Sequence, residues 1–186
     1  MNTIRKFCIA LAVLGYLSAA PAHATGRFDF GAYKQCVRTP LVDFPGTIAQ
    51  AAAATPALST LYNLVLLAGL GDALSGPGPL TVYAPTNDAF ALLPPGLADL
   101  LTNPLNQSLL TAVLKYHVSP GKQDPRKPLY PKETATLQGQ TVFLDYDDGK
   151  GPQINQSTAS CQGVRASNGV VWIIDSVLLP QFVPSK

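Results

Sequence analysis

The sequence predicts an α+β domain whose helices come first and whose strands follow. Two observations carry that expectation. From residue 46 to residue 117 apolar side chains recur at helical spacing, broken once by the β-branched and aromatic run "LTVYAP" at residues 80–85. Beyond "SPGK" the pattern changes to strand-like alternation, punctuated by turn signals such as Asp148-Gly149 and Ser167-Asn168-Gly169. Helices and strands that separate along a chain argue for α+β and against alternating βα units.

The first residues read as an export signal outside that domain. Arg5 and Lys6 precede the uncharged run "FCIALAVLGYLSAAPAHA", which ends in Ala22-His23-Ala24. A basic start, a short apolar stretch and a small-x-small triplet predict a signal peptide over residues 1–24, cleaved after Ala24. An uncleaved anchor is the rival reading, but a spanning helix needs about 20 apolar residues. Cys8 stands too early to be a lipid-bearing cysteine. The expected organisation is a signal over 1–24, a lead segment over 25–43, one domain over 44–180 and a tail over 181–186. The expected location is periplasmic or secreted, with no transmembrane segment after processing.

Processing removes two of 13 basic residues and none of 11 acidic ones, leaving 11 against 11. A formally neutral chain implies no basic stripe for nucleic acid, and association that depends only modestly on ionic strength. Cys8 leaves with the signal, so Cys36 and Cys161 remain. An even count in an exported chain predicts that they form a disulfide, the alternative being two unrelated thiols.

The elements follow in order. Residues 25–45 mix aromatics, Pro and Gly without a period and read as a surface-crossing lead pinned at Cys36. Leu58, Leu61, Val65 and Ala68 repeat at helical spacing, with Thr55-Pro56 as an N-cap and first-turn proline and Gly69 as terminator. "SGPGP" forces a turn into the strand "LTVYAP". Thr86 then caps a short helix whose first turn carries Asp88, and "LLPPGL" breaks it. In "NQSLLTAVLKYHV" Leu110, Val113, Leu114 and His117 share one face. "TATLQGQTVFLDY", "PQINQSTASCQGVRA" and "VVWIIDSVLLP" read as strands joined by hairpins at "DDGKG" and "SNG", with Gly149 supplying positive φ in the first.

Little in the chain points to catalysis. After processing His117 is the single histidine, and no G-x-S-x-G, H-E-x-x-H or Walker pattern is present. A lone histidine on an apolar helical face reads as a hydrogen-bonded core residue. "DYDDGKG" superficially suggests a calcium loop, but Gly149 and Gln156 stand where oxygen ligands belong. Two thiols and one imidazole do not make a structural zinc site. No metal or cofactor is expected. Asn106-Gln107-Ser108 and Asn155-Gln156-Ser157 are N-x-S triplets, relevant only in a host that glycosylates.

"TVYAPTNDAF", "LLTAVLKYHVSPGK", "TLQGQTV" and "ASNGVVWIIDSVLLP" occur in that order within residues 44–180. In this the chain resembles a fasciclin-type domain, in the short exported form of bacterial secreted members. The resemblance implies a wedge-shaped β-sandwich flanked by several α-helices, with the two end motifs on neighbouring strands and the Tyr-His pair packed between them. It makes Thr86, Asn87, Asn168 and Gly169 scaffold residues, with Asn168-Gly169 launching a last buried strand over 170–179. It also implies an adhesion or interaction role without catalysis, toward a cell-surface, matrix or polysaccharide partner. Tyr116 and His117 match the motif that the family associates with adhesion. Gly163 and Val164 stand where some animal members carry an Asp-Ile pair, so integrin-type recognition does not carry over. Trp172 stands where the family often has His. Alternation places it with Val170 and Ile174, opposite Val171 and Ile173, either buried or, if exposed, a recognition anchor. The alternative function is a periplasmic enzyme or small-ligand carrier with a pocket near His117.

Overall fold

Among the described residues the first element is a helix that sequence periodicity did not predict. A computed structural model describes residues 28–181. The expected leader, its cleavage site and residues 182–186 lie outside them. Helix α1 (Phe30–Arg38) forms inside the lead segment, capped by the Asp29 carboxylate, which accepts from Gly31 N and Ala32 N, and the helix buries Cys36. A two-residue strand β1 (Val42–Asp43) follows. Helix α2 (Ile48–Ala54) opens on a Thr47–Gln50 capping box, which satisfies two backbone donors reciprocally.

Thr55 departs from the expected role. Its hydroxyl donates back to Ala51 O at 2.8 Å, so it closes α2 and gives the 3₁₀ turn Pro56–Leu58 no side-chain cap. Helix α3 (Ser59–Leu67) ends where Gly69 adopts a φ of 67°, a left-handed conformation that favours glycine. After α4 (Gly71–Ser75) the strand β2 (Leu80–Pro85) runs as the sequence predicted. Helices α5 (Asn87–Ala91), α6 (Leu97–Thr102) and α7 (Gln107–Tyr116) lead into β3 (Val118–Pro120).

The C-terminal half is more broken than the alternation suggested. "TATLQGQTVFLDY" splits into β4 (Lys132–Ala135) and β5 (Thr141–Asp147) around a turn at Gly139, φ 107°. In the next hairpin Gly151, not Gly149, takes positive φ, at 95°. The Asp147 carboxylate shapes that turn by accepting from Gly149 N and Lys150 N. Strands β6 (Gly151–Ile154), β7 (Ser157–Thr158), β8 (Val164–Ala166) and β9 (Gly169–Ile174) complete the set. The last strand stops at Ile174 and not at Leu179. Asp175 ends the pairing because its carboxylate turns to Thr158 N and Ser157 Oγ.

These strands form two sheets. One is mixed, in the order β1-β8-β9-β2-β3, and the other is antiparallel, β4-β5-β6-β7. The central pair β2–β9 is parallel, with Tyr83 opposite Trp172 and Val82 opposite Val171. Parallel strands covered on both faces are near-continuously apolar, and both runs are, with Thr81 the one polar side chain between them. Val82, Ala84 and Val171 face the helices in one core cluster. Tyr83, Val170, Trp172 and Ile174 face Val142, Leu144 and Ile154 of the second sheet in another. The architecture is therefore α+β, a sandwich with helices over one outer face.

Candidate functional site

The two ends of the β2–β9 pair hold the motif residues, and the asparagine and threonine side chains at both ends are hydrogen-bonded within the fold. At the C-terminal end Thr86 Oγ1 accepts from Ala89 N and caps α5. Asn87 reaches across to the α3 start: its Oδ1 accepts from Thr60 N at 3.0 Å and its Nδ2 donates to Pro56 O at 3.0 Å. At the opposite end Asn168 Oδ1 accepts from Ile48 N, while Nδ2 donates to Leu74 O and Gly76 O. One side chain thereby caps α2 and closes the end of α4. At Gly169 a Cβ would meet Leu80 O, so only glycine permits that approach of β9 to β2.

Tyr116 and His117 end α7 and are buried, His117 with 2% of its surface exposed. The geometry assigns the imidazole tautomer. Leu178 N–H donates to Nε2 at 2.9 Å, so Nε2 is unprotonated, and Nδ1–H donates to Val113 O at 2.8 Å. Burial lowers the imidazole pKa to about 4, outweighing the bond to Val113 that favours the cation. Protonation at Nε2 would also break the bond from Leu178. Tyr116 Oη donates to Thr141 O and accepts from Asn155 Nδ2. The pair thus pins the segment after β9, and the start of β5, to helix α7. An apolar cavity of about 60 Å³ lies beside His117, between α2, α3, α7 and the sheet. Both ring nitrogens are already bonded, to Val113 O and Leu178 N.

Asn155, in one N-x-S triplet, sits at φ 54° and accepts from Phe143 N. Asn106, in the other, donates to Leu100 O. Both amides serve the fold. Among the described residues no group of three or more His, Cys, Asp or Glu is placed to hold a metal ion.

Sequence reasoning missed a cluster built on Arg126. Cys36 and Cys161 are disulfide-bonded. The buried Arg126 donates through Nη1 to Cys36 O, Thr39 O and Cys161 O, and clamps Asp124 through Nε and Nη2, each at 2.8 Å. Its guanidinium lies 4.7 Å over the Trp172 ring. Trp172 is 1% exposed and its Nε1 donates to Gln123 O. The tryptophan is a core residue, and the recognition-anchor reading is overturned. A Cβ at Gly163 would lie 2.8 Å from this ring, so Trp172 and Gly163 form one packing unit. An Asp-x-Arg pair at 124–126, in a chain with only 13% charged residues, was the signal available in the sequence.

Three comparisons bear on this architecture. A family model for the fasciclin domain matches residues 56–180. "Protein sll1483" of Synechocystis sp. is 37% identical over 97% of this chain and 99% of its own length. "Immunogenic protein MPB70" of Mycobacterium bovis is 38% identical over 72% of this chain and 68% of its own. "Cell surface glycolipoprotein MPB83" of the same species is 38% identical over 72% of this chain and 60% of its own. Among solved structures, a FAS1 domain pair from the insect cell adhesion molecule Fasciclin I matches with a TM-score of 0.62 at 15% identity. That match covers 73% of this chain and 52% of the insect one.

Proposed function

This chain belongs to the fasciclin domain family, and from that premise we propose that it is an exported, non-catalytic adhesion or interaction module acting at a cell surface or matrix. One observation carries the reading: Thr86, Asn87, Tyr116, His117, Asn168 and Gly169 are all engaged in holding the fold. In this reading those residues serve the scaffold, and function falls to the surface that they hold in place. The names of its relatives point the same way, one described as a cell surface glycolipoprotein and one as a cell adhesion molecule.

The Tyr-His pair acts in this reading by positioning strands, not by touching a partner. The cavity beside His117 favours only a narrow form of the carrier alternative, a small apolar guest, because no set of polar groups converges on it. The test is binding of the full chain to envelope or matrix material with chelator present. Retained binding is the expected result. Absence of binding, together with turnover that His117→Ala abolishes in a folded protein, would overturn it.

A further inference from the structure

Charge is distributed unevenly over this fold. Of 13 basic residues Arg5, Lys6, Arg27 and Lys186 lie outside residues 28–181, which leaves nine basic residues against all 11 acidic ones. Four of the nine, Lys122, Arg126, Lys127 and Lys132, fall in the eleven residues 122–132, with Asp124 the one acid among them. The loop therefore carries about +3, while the rest of the described chain has five basic against ten acidic residues. Formal neutrality of the whole chain conceals this separation.

Asp124 does not neutralise the outer surface, because Arg126 holds both its oxygens. Lys122, Lys127 and Lys132 remain exposed, with Lys127 Nζ 3.9 Å from Asp124 and Lys132 Nζ 3.4 Å from Gln123 Oε1. Between Lys127 and Lys132 runs Pro128-Leu129-Tyr130-Pro131, in which Leu129 is 42% and Tyr130 82% exposed. The loop base is anchored: Thr81 Oγ1 donates to Gly121 O and accepts from Gln123 N, and Tyr33 Oη donates to Lys127 O. An apolar, proline-stiffened tip flanked by cations is thus presented on a rigid support.

We infer that the loop over residues 122–132 docks the domain onto an anionic lipid surface, the lysines meeting headgroup phosphates while Leu129 and Tyr130 enter the interface. Charge complementarity selects the anionic partner. The tip selects a bilayer over a soluble polyanion. This tip offers two prolines, a leucine and a tyrosine for burial in an interface, and the nearby Gln123 amide is engaged with Pro120 O and Lys132. Tyrosine and lysine side chains suit a boundary that is apolar on one side and wet on the other. This proposal does not depend on the adhesive reading.

The experiment is co-sedimentation of the full chain with unilamellar vesicles of equimolar phosphatidylglycerol and phosphatidylcholine. Because the N-terminal apolar run is common to all variants, differences among them report the loop. Lys122→Glu/Lys127→Glu/Lys132→Glu is expected to weaken partitioning roughly a hundredfold. Leu129→Ser/Tyr130→Ser is expected to weaken it about tenfold or more. Neither should shift the melting temperature, and Lys→Gln at the three sites replaces the charge reversal if it does. Unchanged vesicle binding in the lysine variants overturns the proposal. So does wild-type capture by dextran sulfate combined with unchanged vesicle binding of the Leu129/Tyr130 variant, which would mark a polyanion site instead.

Discussion

The two faces of the five-stranded sheet are packed by different rules, although the same two strands supply both. On the helix side Val82, Ala84 and Val171 meet Leu58, Leu61, Leu110 and Leu114, an aliphatic cluster that leaves a cavity of about 60 Å³. On the other side Tyr83 and Trp172 meet the second sheet, and the polar ends of Trp172 and Tyr116 reach specific carbonyls at Gln123 and Thr141. The helix side is held by apolar burial, which is non-directional and tolerates repacking. The other side is held by placement as well, because Trp172 Nε1 and Tyr116 Oη each donate to a single carbonyl. There Trp172, Gly163, Arg126 and the disulfide join α1, the 122–132 loop and β9 into a unit in which small changes propagate.

The largest expected effect tests the placed side. Trp172→Ala should cost about 3–5 kcal/mol by denaturant unfolding, as large aromatic deletions do. A loss no greater than that of an ordinary aliphatic truncation would remove the distinction between the faces.

The next effect comes from His117, which sits where the faces meet. Its folded pKa of about 4 lies below the ordinary 6.5, so the unfolded chain binds more protons between those values. Stability from the neutral imidazole is fully present above pH 6.5 and is lost as pH falls toward 4, by on the order of 3 kcal/mol. Burial pushes Asp175 upward, but bonds from Thr158, Ser157 and Ser176 outweigh it and hold the carboxyl below its ordinary 3.8. Its contribution therefore disappears only at lower pH. Urea midpoints between pH 7 and 4.5 should fall in the wild type and stay flatter in His117→Gln.

Smaller effects separate crowding from slack. Gly163→Ala should cost about 1–3 kcal/mol, since the new methyl meets the Trp172 ring, and Trp172→Phe should recover part of that loss in a double-mutant cycle. Ala52→Val, at a cavity-lining position, should change stability by less than about 1 kcal/mol. Equal costs at the two sites would contradict the comparison.

What the sequence made legible follows the same division. Features encoded by neighbours could be read: the β2 run and its Thr86 cap, the Asn168-Gly169 turn, and the alternation that put Trp172 opposite Val171. Features that depend on distant partners could not. Helix α1 has no clear period; its Asp29 cap and the docking of Cys36 and Tyr33 against the 126–161 region support it. The three bonds of the Asn168 side chain span about ninety residues or more, so the turn was visible and its anchoring role was not. Arg126 meets acceptors contributed by three separate segments. The charge of the 122–132 loop was lost in a whole-chain sum.

The account rests on His117 as a fixed, neutral part of the scaffold, and ring-nitrogen NMR tests that most directly. The chain has two histidines, His23 and His117, so assignment is simple. The structure predicts one imidazole in the Nδ1–H form whose shifts stay constant from pH 8 to about 5. An His117 that titrates near 6.5, or carries its proton on Nε2, would contradict the assignment and return the residue to the pool of available acids and bases.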